Sequence, residues 1–458
     1  MAERTPPVRP GETLELEVYG LGHAGEGVAR YQNFALFIPW ALPGDRVRAR
    51  VTEVKKNFGR AALEAVLTPS PQRVQPRCPV YAECGGCQLQ HLDYAAQLAA
   101  KREQVQNALA RIGGLREVPV HPTLGMADPW RYRNKAQFPI GRQGGRVVAG
   151  FFAPGTHRIV DIDDCWIQHP VANRVLREVK RLVVKYGVPV YDEATHTGVL
   201  RHVLVRVARS GRDAMAVLVT ATPDLPYDHE IAGELMAAIP ELVSLWQNIN
   251  PERTNVVLGE ESVHLAGQEG LVDRIGDLEF LISPRSFYQV NPAQTEVLYR
   301  KALEYADLRG DEVVVDAYAG IGTISLFLAR RARHVFGIEE VPEAVADARA
   351  NAARNGIGNA TFLEGRVEEW LPRLQAEGLR PEVIVFDPPR KGCEPEVLEA
   401  AAAMAPRRMV YVSCNPATLA RDLGILSRHG YRAVEVQPVD MFPHTHHVEA
   451  VARIDRAP

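Results

Sequence analysis

Cys414 stands in Ser413-Cys414-Asn415-Pro416, directly after the apolar run VYVS. A strand that ends in a cysteine and then turns presents its thiol at the edge of a sheet, where it can serve as a nucleophile instead of packing as an inert hydrophobe. The run EVVVDAYAG leads into Asp316-Ala317-Tyr318-Ala319-Gly320-Ile321-Gly322 and then a helix. In an open parallel sheet that is where nucleotide-like ligands bind, with Gly320 and Gly322 letting a ligand approach the backbone. The next strand ends in Gly337-Ile338-Glu339, an acid placed to accept from both ribose hydroxyls of an adenosyl group. Ser325 stands where a dinucleotide fingerprint wants its third glycine, which favours S-adenosylmethionine over NAD.

Asp387-Pro388-Pro389-Arg390 ends the run EVIVF in a rigid turn that projects a carboxyl over the same edge. Methylation of an exocyclic amine wants Asn-Pro-Pro-aromatic there, to accept from the amine and stack on the base. Aspartate followed by arginine points instead to a ring carbon. Carbon 5 of uracil is too weak a nucleophile to take a methyl group unaided, so a thiolate must first add to carbon 6, and Cys414 answers that need. A base must afterwards remove the carbon-5 proton, and Glu449, in His444-Thr445-His446-His447-Val448-Glu449, is the candidate. The three histidines read as solvated or capping groups, with metal ligation the lesser alternative.

Three of the 6 cysteines crowd into Cys78, Cys84 and Cys87. The first ten residues, MAERTPPVRP, lack the apolar core of an export signal, so the cluster reads as a metal or iron–sulfur site and not as disulfides. Its C-x5-C-x2-C spacing differs from the C-x3-C-x2-C loop of radical enzymes, and Ser-Cys-Asn-Pro differs from the Pro-Cys turn of cytosine methylation.

The elements that must position these groups fall into three parts. Residues 11–68 alternate with period two and are punctuated by glycines, which predicts a small β-barrel with Arg46, Arg48 and Arg50 as a basic stripe on one strand face. RNA contact and a plain solvated face are both open readings of that stripe. A helix is expected over 94–112, ended by Gly113 and Gly114, then a mixed α/β segment to about Leu281. That segment contains Trp130-Arg131-Tyr132-Arg133-Asn134-Lys135, whose aromatic and cationic side chains suit either RNA or a half-exposed strand. From about Arg285 strands alternate with helices, which implies a parallel sheet covered on both faces. The chain of 458 residues, 46% hydrophobic with a net charge of −3, is too long for one core and has no global basic excess, so any nucleic-acid surface must be local. No apolar run approaches the ~20 residues that span a bilayer, and a soluble, cytoplasmic protein is expected.

Over nearly its whole length the sequence resembles the RNA uracil-5 methyltransferases of the ribosomal-RNA type. The residues that carry the likeness are GHAGEGVAR, the C-x5-C-x2-C cluster, PWRYRNK, SPRSFYQVNPAQTEVLY, DAYAGIGTISL, FDPPRKG, YVSCNPATLARDL and MFPHTHHVEAV. The resemblance implies an α/β protein with an OB-type TRAM barrel (10–68), a central α/β iron–sulfur domain (69–284) and a Rossmann-like class I methyltransferase domain (285–458). It implies Cys78, Cys84, Cys87 and Cys165 as ligands of a [4Fe–4S] cluster. It places Gln289, Tyr318, Glu339 and Asp387 around S-adenosylmethionine, with Cys414 as nucleophile and Glu449 as base. The partner implied is RNA, 23S ribosomal RNA ahead of transfer RNA, with no membrane and a monomeric enzyme. Gly365-Arg366 departs from the family, which often carries an acid there, and His446 replaces a common proline; Cys393 has no role on either ground. A different class, an iron–sulfur RNA-binding assembly factor without turnover, would have lost Cys414 or Glu449, and both are present.

Overall fold

The computed structural model describes residues 6–457; the first five residues of the segment read for an export signal lie outside it. Strands β1 (Thr13–Leu21), β2 (Gly27–Tyr31), β3 (Phe34–Ile38), β4 (Arg46–Val54) and β5 (Phe58–Thr68) close into a barrel in the order β1-β2-β3-β5-β4. Period-two alternation sends Leu14, Leu16, Val47, Ala49 and Val51 inward. It sends Arg46, Arg48 and Arg50 outward, where they meet acids: Glu15 lies 2.8 Å from Arg46 and 3.4 Å from Arg48, and Glu64 lies 3.2 Å from Arg50. The stripe is therefore a lattice of exposed ion pairs and not a bare cationic face.

Helix α1 (Tyr94–Arg111) begins where Asp93 accepts from the Ala96 amide at 3.1 Å. Beyond it a seven-stranded sheet forms from β6 (Lys135–Gln143), β7 (Arg146–Phe152), β8 (Ile159–Asp161), β9 (Leu200–Val207), β10 (Ala214–Thr220), β11 (Leu242–Ile249) and β12 (Glu261–Gly267), in the order β12-β11-β10-β9-β6-β7-β8. Helices α2 (Pro170–Tyr186) and α3 (Asp228–Ala238) cover one face through Val175, Val179, Leu182, Ile231 and Leu235. The other face, with Leu204, Met215, Val217 and Val219, packs on the hairpin of β13 (Leu271–Ile275) and β14 (Leu278–Ile282). Both faces being covered, every residue of β10 is buried.

The C-terminal sheet runs β17-β16-β15-β18-β19-β21-β20. Its strands are β15 (Val313–Asp316), β16 (His334–Glu339), β17 (Ala360–Glu364), β18 (Val383–Phe386), β19 (Arg408–Ser413), β20 (Tyr431–Val439) and β21 (Glu449–Arg456). The first five are parallel, and β21 runs antiparallel to both β19 and β20. Helices α4 (Pro292–Ala306), α5 (Thr323–Ala329) and α6 (Pro342–Arg354) pack on one face around Val314 and Val385. Helices α7 (Val367–Ala376), α8 (Pro395–Ala403) and α9 (Pro416–Arg428) pack on the other around Val315 and Phe386, joined there by Val105 and Leu109 of α1. The core around this sheet reaches beyond 285–458: it takes in α1, the β13–β14 hairpin, and the bridges Val120 to Val436 and Leu124 to Val439. Among the described residues no helix is long and apolar enough to cross a membrane.

Candidate active site and a four-cysteine cavity

The strand order turns back beside β15, and the carboxyl ends of β15, β16, β18 and β19 open onto a cavity of about 700 Å³. Gln289, Tyr318, Gly320, Glu339, Asp387, Cys414 and Glu449 all line it, so residues far apart in the chain reach one space. Gly320 adopts φ of 54°, the left-handed region glycine favours, and its amide donates to Glu339 Oε2 at 2.9 Å. The Val341 amide donates to Oε1 at 2.9 Å, which fixes the carboxylate while each oxygen keeps a lone pair for a ligand hydroxyl. Gly322 does not line the cavity: it begins α5 at φ of 84°, and a Cβ there would come within 3.0 Å of the Phe362 ring. Its demand is local conformation and close packing. Ser325 donates to Asp316 Oδ2 at 2.5 Å, while the other oxygen of that buried carboxyl has no partner. Burial pushes Asp316 up to about 6.

The acids nearest the thiol are also perturbed. Burial, with Glu449 and Asp316 nearby, drives the Asp387 carboxyl well above its usual range. Burial lifts Glu449 to about 7 against the pull of Arg390. Cys414 is half-buried, and desolvation, Glu449 and Asp387 together push its thiol to about 11, again opposed by Arg390. Arg390 is held in place: its Nη2 donates to His447 Nδ1 at 2.8 Å, and its carbonyl accepts from Asn415 Nδ2 at 3.1 Å. Asn415 also caps α9, accepting from the Ala417 amide at 3.0 Å, which accounts for the Ser-Cys-Asn-Pro turn: strand end, thiol, cap, first helical residue. Two buried acids on the cavity wall, Asp387 and Glu449, suit a ligand carrying positive charge beside an adenosyl group, as S-adenosylmethionine does.

Sequence reasoning missed several wall residues, among them Arg133, Tyr299, Phe442 and His447. His447 lay inside the segment read for Glu449 and Arg133 inside the aromatic and cationic segment Trp130–Lys135, so their signals were present; Tyr299 and Phe442 are placed there by packing. At Gly365-Arg366, where the family's acid is wanting, the wall includes Glu368 one turn further on. The late histidines are structural: His444 stacks on Trp130 with centroids 3.8 Å apart, and His446 donates to Gln88 Oε1 at 3.2 Å. Burial lowers His444 and His447 to about 3. The segment from Trp130 to Lys135 is likewise mostly engaged inside the protein, with Tyr132 donating to the Pro443 carbonyl at 3.0 Å and Asn134 to the Gln289 carbonyl at 3.1 Å. Cys393 is buried, and its amide donates to Asp422 at 2.9 Å.

A second cavity, of about 360 Å³, is lined by Cys78, Cys84, Cys87 and Cys165. Arg131 holds the Cys165 turn through Asp164 at 2.6 Å and the Cys165 carbonyl at 2.7 Å, and the Cys78 amide donates to Gln90 at 3.2 Å. Spacing could not have found Cys165, which arrives on a separate loop. Burial pushes all four thiols up, Cys165 to about 11. Among the described residues no three side chains of His, Cys, Asp or Glu form a group able to hold a metal ion. Arg133 and His447 line both cavities, so the two are neighbours.

The fold and cavity are those of an α/β methyltransferase with an N-terminal barrel. The family described as tRNA (Uracil-5-)-methyltransferase matches residues 272–456, and the TRAM domain matches residues 7–63. A protein of Halalkalibacterium halodurans named an uncharacterized RNA methyltransferase is 50% identical over 99% of both chains. One of the same name from Clostridium tetani is 49% identical over 97% of this chain and 96% of its own. The crystal structure of Pyrococcus abyssi tRNA (uracil-54, C5)-methyltransferase in complex with S-adenosyl-L-homocysteine matches with a TM-score of 0.77 and 28% identity, over 96% of this chain and all of that one. This chain belongs to the RNA uracil-5 methyltransferase family, and it is an S-adenosylmethionine-dependent RNA methyltransferase.

Proposed function

We propose that the protein is a cytoplasmic, monomeric enzyme that methylates carbon 5 of a uridine in 23S ribosomal RNA, with Cys414 as nucleophile and Glu449 as base. What carries the reading is that Cys414, Asp387 and Glu449 share one cavity with Glu339, Tyr318 and Gly320. Cys414 as thiolate adds to carbon 6, the carbon 5–carbon 6 double bond opens, and carbon 5 gains the electron density it lacked. S-adenosylmethionine would be held by Gln289, Tyr318, Glu339 and Asp387 and would supply the electrophilic methyl group that carbon 5 takes, leaving as S-adenosylhomocysteine. Glu449 then takes the carbon-5 proton, the double bond re-forms, and the Cys414 thiolate leaves. A base near 7 suits that duty at neutral pH. Arg390 lowers the proton affinity of both residues and so favours their reactive forms.

In the same proposal the barrel (10–68) grips RNA, the central part (69–284) carries a [4Fe–4S] cluster on Cys78, Cys84, Cys87 and Cys165, and 285–458 is catalytic. The fit rests on the four cysteines lining one cavity of about 360 Å³. Cys165→Ser should lower the iron bound by the purified protein and its visible absorbance; unchanged iron would remove Cys165 from the ligand set. The resemblance to the ribosomal-RNA type of the family supports ribosomal RNA. A second reading, transfer RNA, is favoured by the Pyrococcus abyssi enzyme, which acts on tRNA and which this chain spans in full. Mapping 5-methyluridine in 23S and transfer RNA from cells lacking the protein decides between them. Cys414→Ala restored to those cells should leave the site unmodified, and restored methylation would refute the nucleophile.

A further inference from the structure

Glu449 begins β21 and pairs with Val439 at the end of β20, so residues 440–448 form a hairpin loop at the mouth of the catalytic cavity. Phe442 and His447 of this loop stand on the cavity wall with Cys414 and Glu449. At its tip His444 adopts φ of 67°, a left-handed conformation that a side chain other than glycine keeps only when its surroundings over-determine it.

Those surroundings come from the N-terminal half of the chain. The amides of Gln88 and Leu89, directly after Cys87, donate to the His444 carbonyl at 3.0 and 2.9 Å. Gln97 on α1 completes the grip. Its Oε1 accepts from the His444 amide at 2.9 Å, and its Nε2 donates to the carbonyls of Leu89 at 2.9 Å and Leu92 at 2.8 Å, with His444 Nδ1 at 3.3 Å. The side chain is 1% exposed, so no water stands ready to replace it. One amide thus joins the segment after the cysteines to the loop before Glu449.

We infer that Gln97 is a positioning residue: it ties the segment following Cys84 and Cys87 to the catalytic hairpin loop and so sets where Phe442 and His447 meet the target base. The inference rests on the proposed reaction, in which the base must be seated against Cys414. Gln97 touches no residue of the adenosyl end of the cavity, where Gly320 and Glu339 lie, so its influence falls on RNA-dependent steps. Misplacing a reacting group by about 1 Å costs on the order of 100-fold in rate.

The test compares Gln97→Leu and Gln97→Met in the full-length, cluster-loaded protein. The expected result is S-adenosylmethionine affinity within about twofold of wild type, faster amide hydrogen exchange confined to residues 441–447, and formation of the covalent RNA adduct slower by about 10- to 100-fold. Wild-type adduct formation in a folded variant would overturn the inference. So would an equal loss of cofactor affinity, or failure of both variants to fold, since either marks Gln97 as general core support. Cys414→Ala is assayed in parallel: methylation surviving in it would sink the proposed reaction itself, whatever Gln97 does.

Discussion

Glu449→Gln separates what the buried carboxyl costs the fold from what it does for the reaction. Glu449 is 4% exposed, and its carboxyl is raised from an ordinary 4.5 to about 7 by burial, with Arg390 working against the rise. The folded state therefore binds a proton more tightly than the unfolded chain does. Its contribution to stability is whole below about pH 4.5 and is lost as pH climbs through about 7. At about 1.4 kcal/mol for each tenfold change in proton affinity, the loss approaches about 3 kcal/mol. Glutamine keeps the shape without the charge, so the variant should gain on wild type by up to about 3 kcal/mol in urea unfolding near pH 8, and by almost nothing near pH 4. The same substitution removes the proposed base. Wild-type release of tritium from 5-tritiated uridine should rise about tenfold between about pH 6 and pH 8, as a group near 7 ionises, while the variant accumulates the RNA adduct on denaturing gels. A variant that is less stable than wild type near pH 8, or that releases tritium at the wild-type rate, refutes the reasoning.

Two further outcomes follow from the packing. Lys101 is 1% exposed and donates to Asp440 Oδ1 at 2.5 Å and to the Phe442 carbonyl at 2.9 Å, so Lys101→Met leaves the buried Asp440 carboxyl with the Tyr94 hydroxyl at 2.8 Å but no cation and should cost about 3–5 kcal/mol in urea unfolding; a cost below about 1 kcal/mol would show that the pair does not hold the fold together. Arg46 and Arg48 share Glu15, so replacing both with alanine should change the slope of RNA affinity against salt by less than about one, where two phosphate contacts would change it by about two; the slope is read from binding titrations at several salt concentrations.

The C-terminal sheet was legible in the sequence because a doubly covered parallel sheet writes itself plainly, as short apolar runs such as VVVD and VIVF separated by amphipathic helices. Each strand end then delivers its next residues to one edge, which is why Tyr318, Glu339, Asp387 and Cys414 could be placed together from order alone. The cavity bears on what that placement does: Glu449 and Asp316 raise the proton affinity of Asp387, Glu449 and Asp387 raise that of Cys414, and Arg390 opposes the rise at Cys414 and Glu449 from the turn after Asp387. What stayed illegible depends on contacts between distant segments. Charge in a strand says nothing of its partners, so the Arg46 stripe concealed Glu15 and Glu64. Gly322 has the spacing of a ligand-facing glycine but answers to the Phe362 ring. Periodicity set a boundary near residue 284, yet the core draws in α1 and the β13–β14 hairpin, because an apolar face packs on whatever covers it regardless of order in the chain.

That annexation has a mechanical consequence for the site. The catalytic hairpin loop takes its support from residues some 350 positions upstream, Gln97 and Lys101 on α1, as the pairs Gln97–His444 and Lys101–Asp440 span 347 and 339 residues. A loop held by its own neighbours could form before the rest of the chain docks. This one draws its support from Gln97 and Lys101 on α1, a helix that packs on α9. The proposed nucleophile Cys414 and the wall proposed to seat the base therefore rest on different contacts, one set within the C-terminal sheet and one across the whole chain. A fragment confined to the C-terminal sheet would keep the turn that presents Cys414 and lose the constraint that holds His444 in its left-handed conformation.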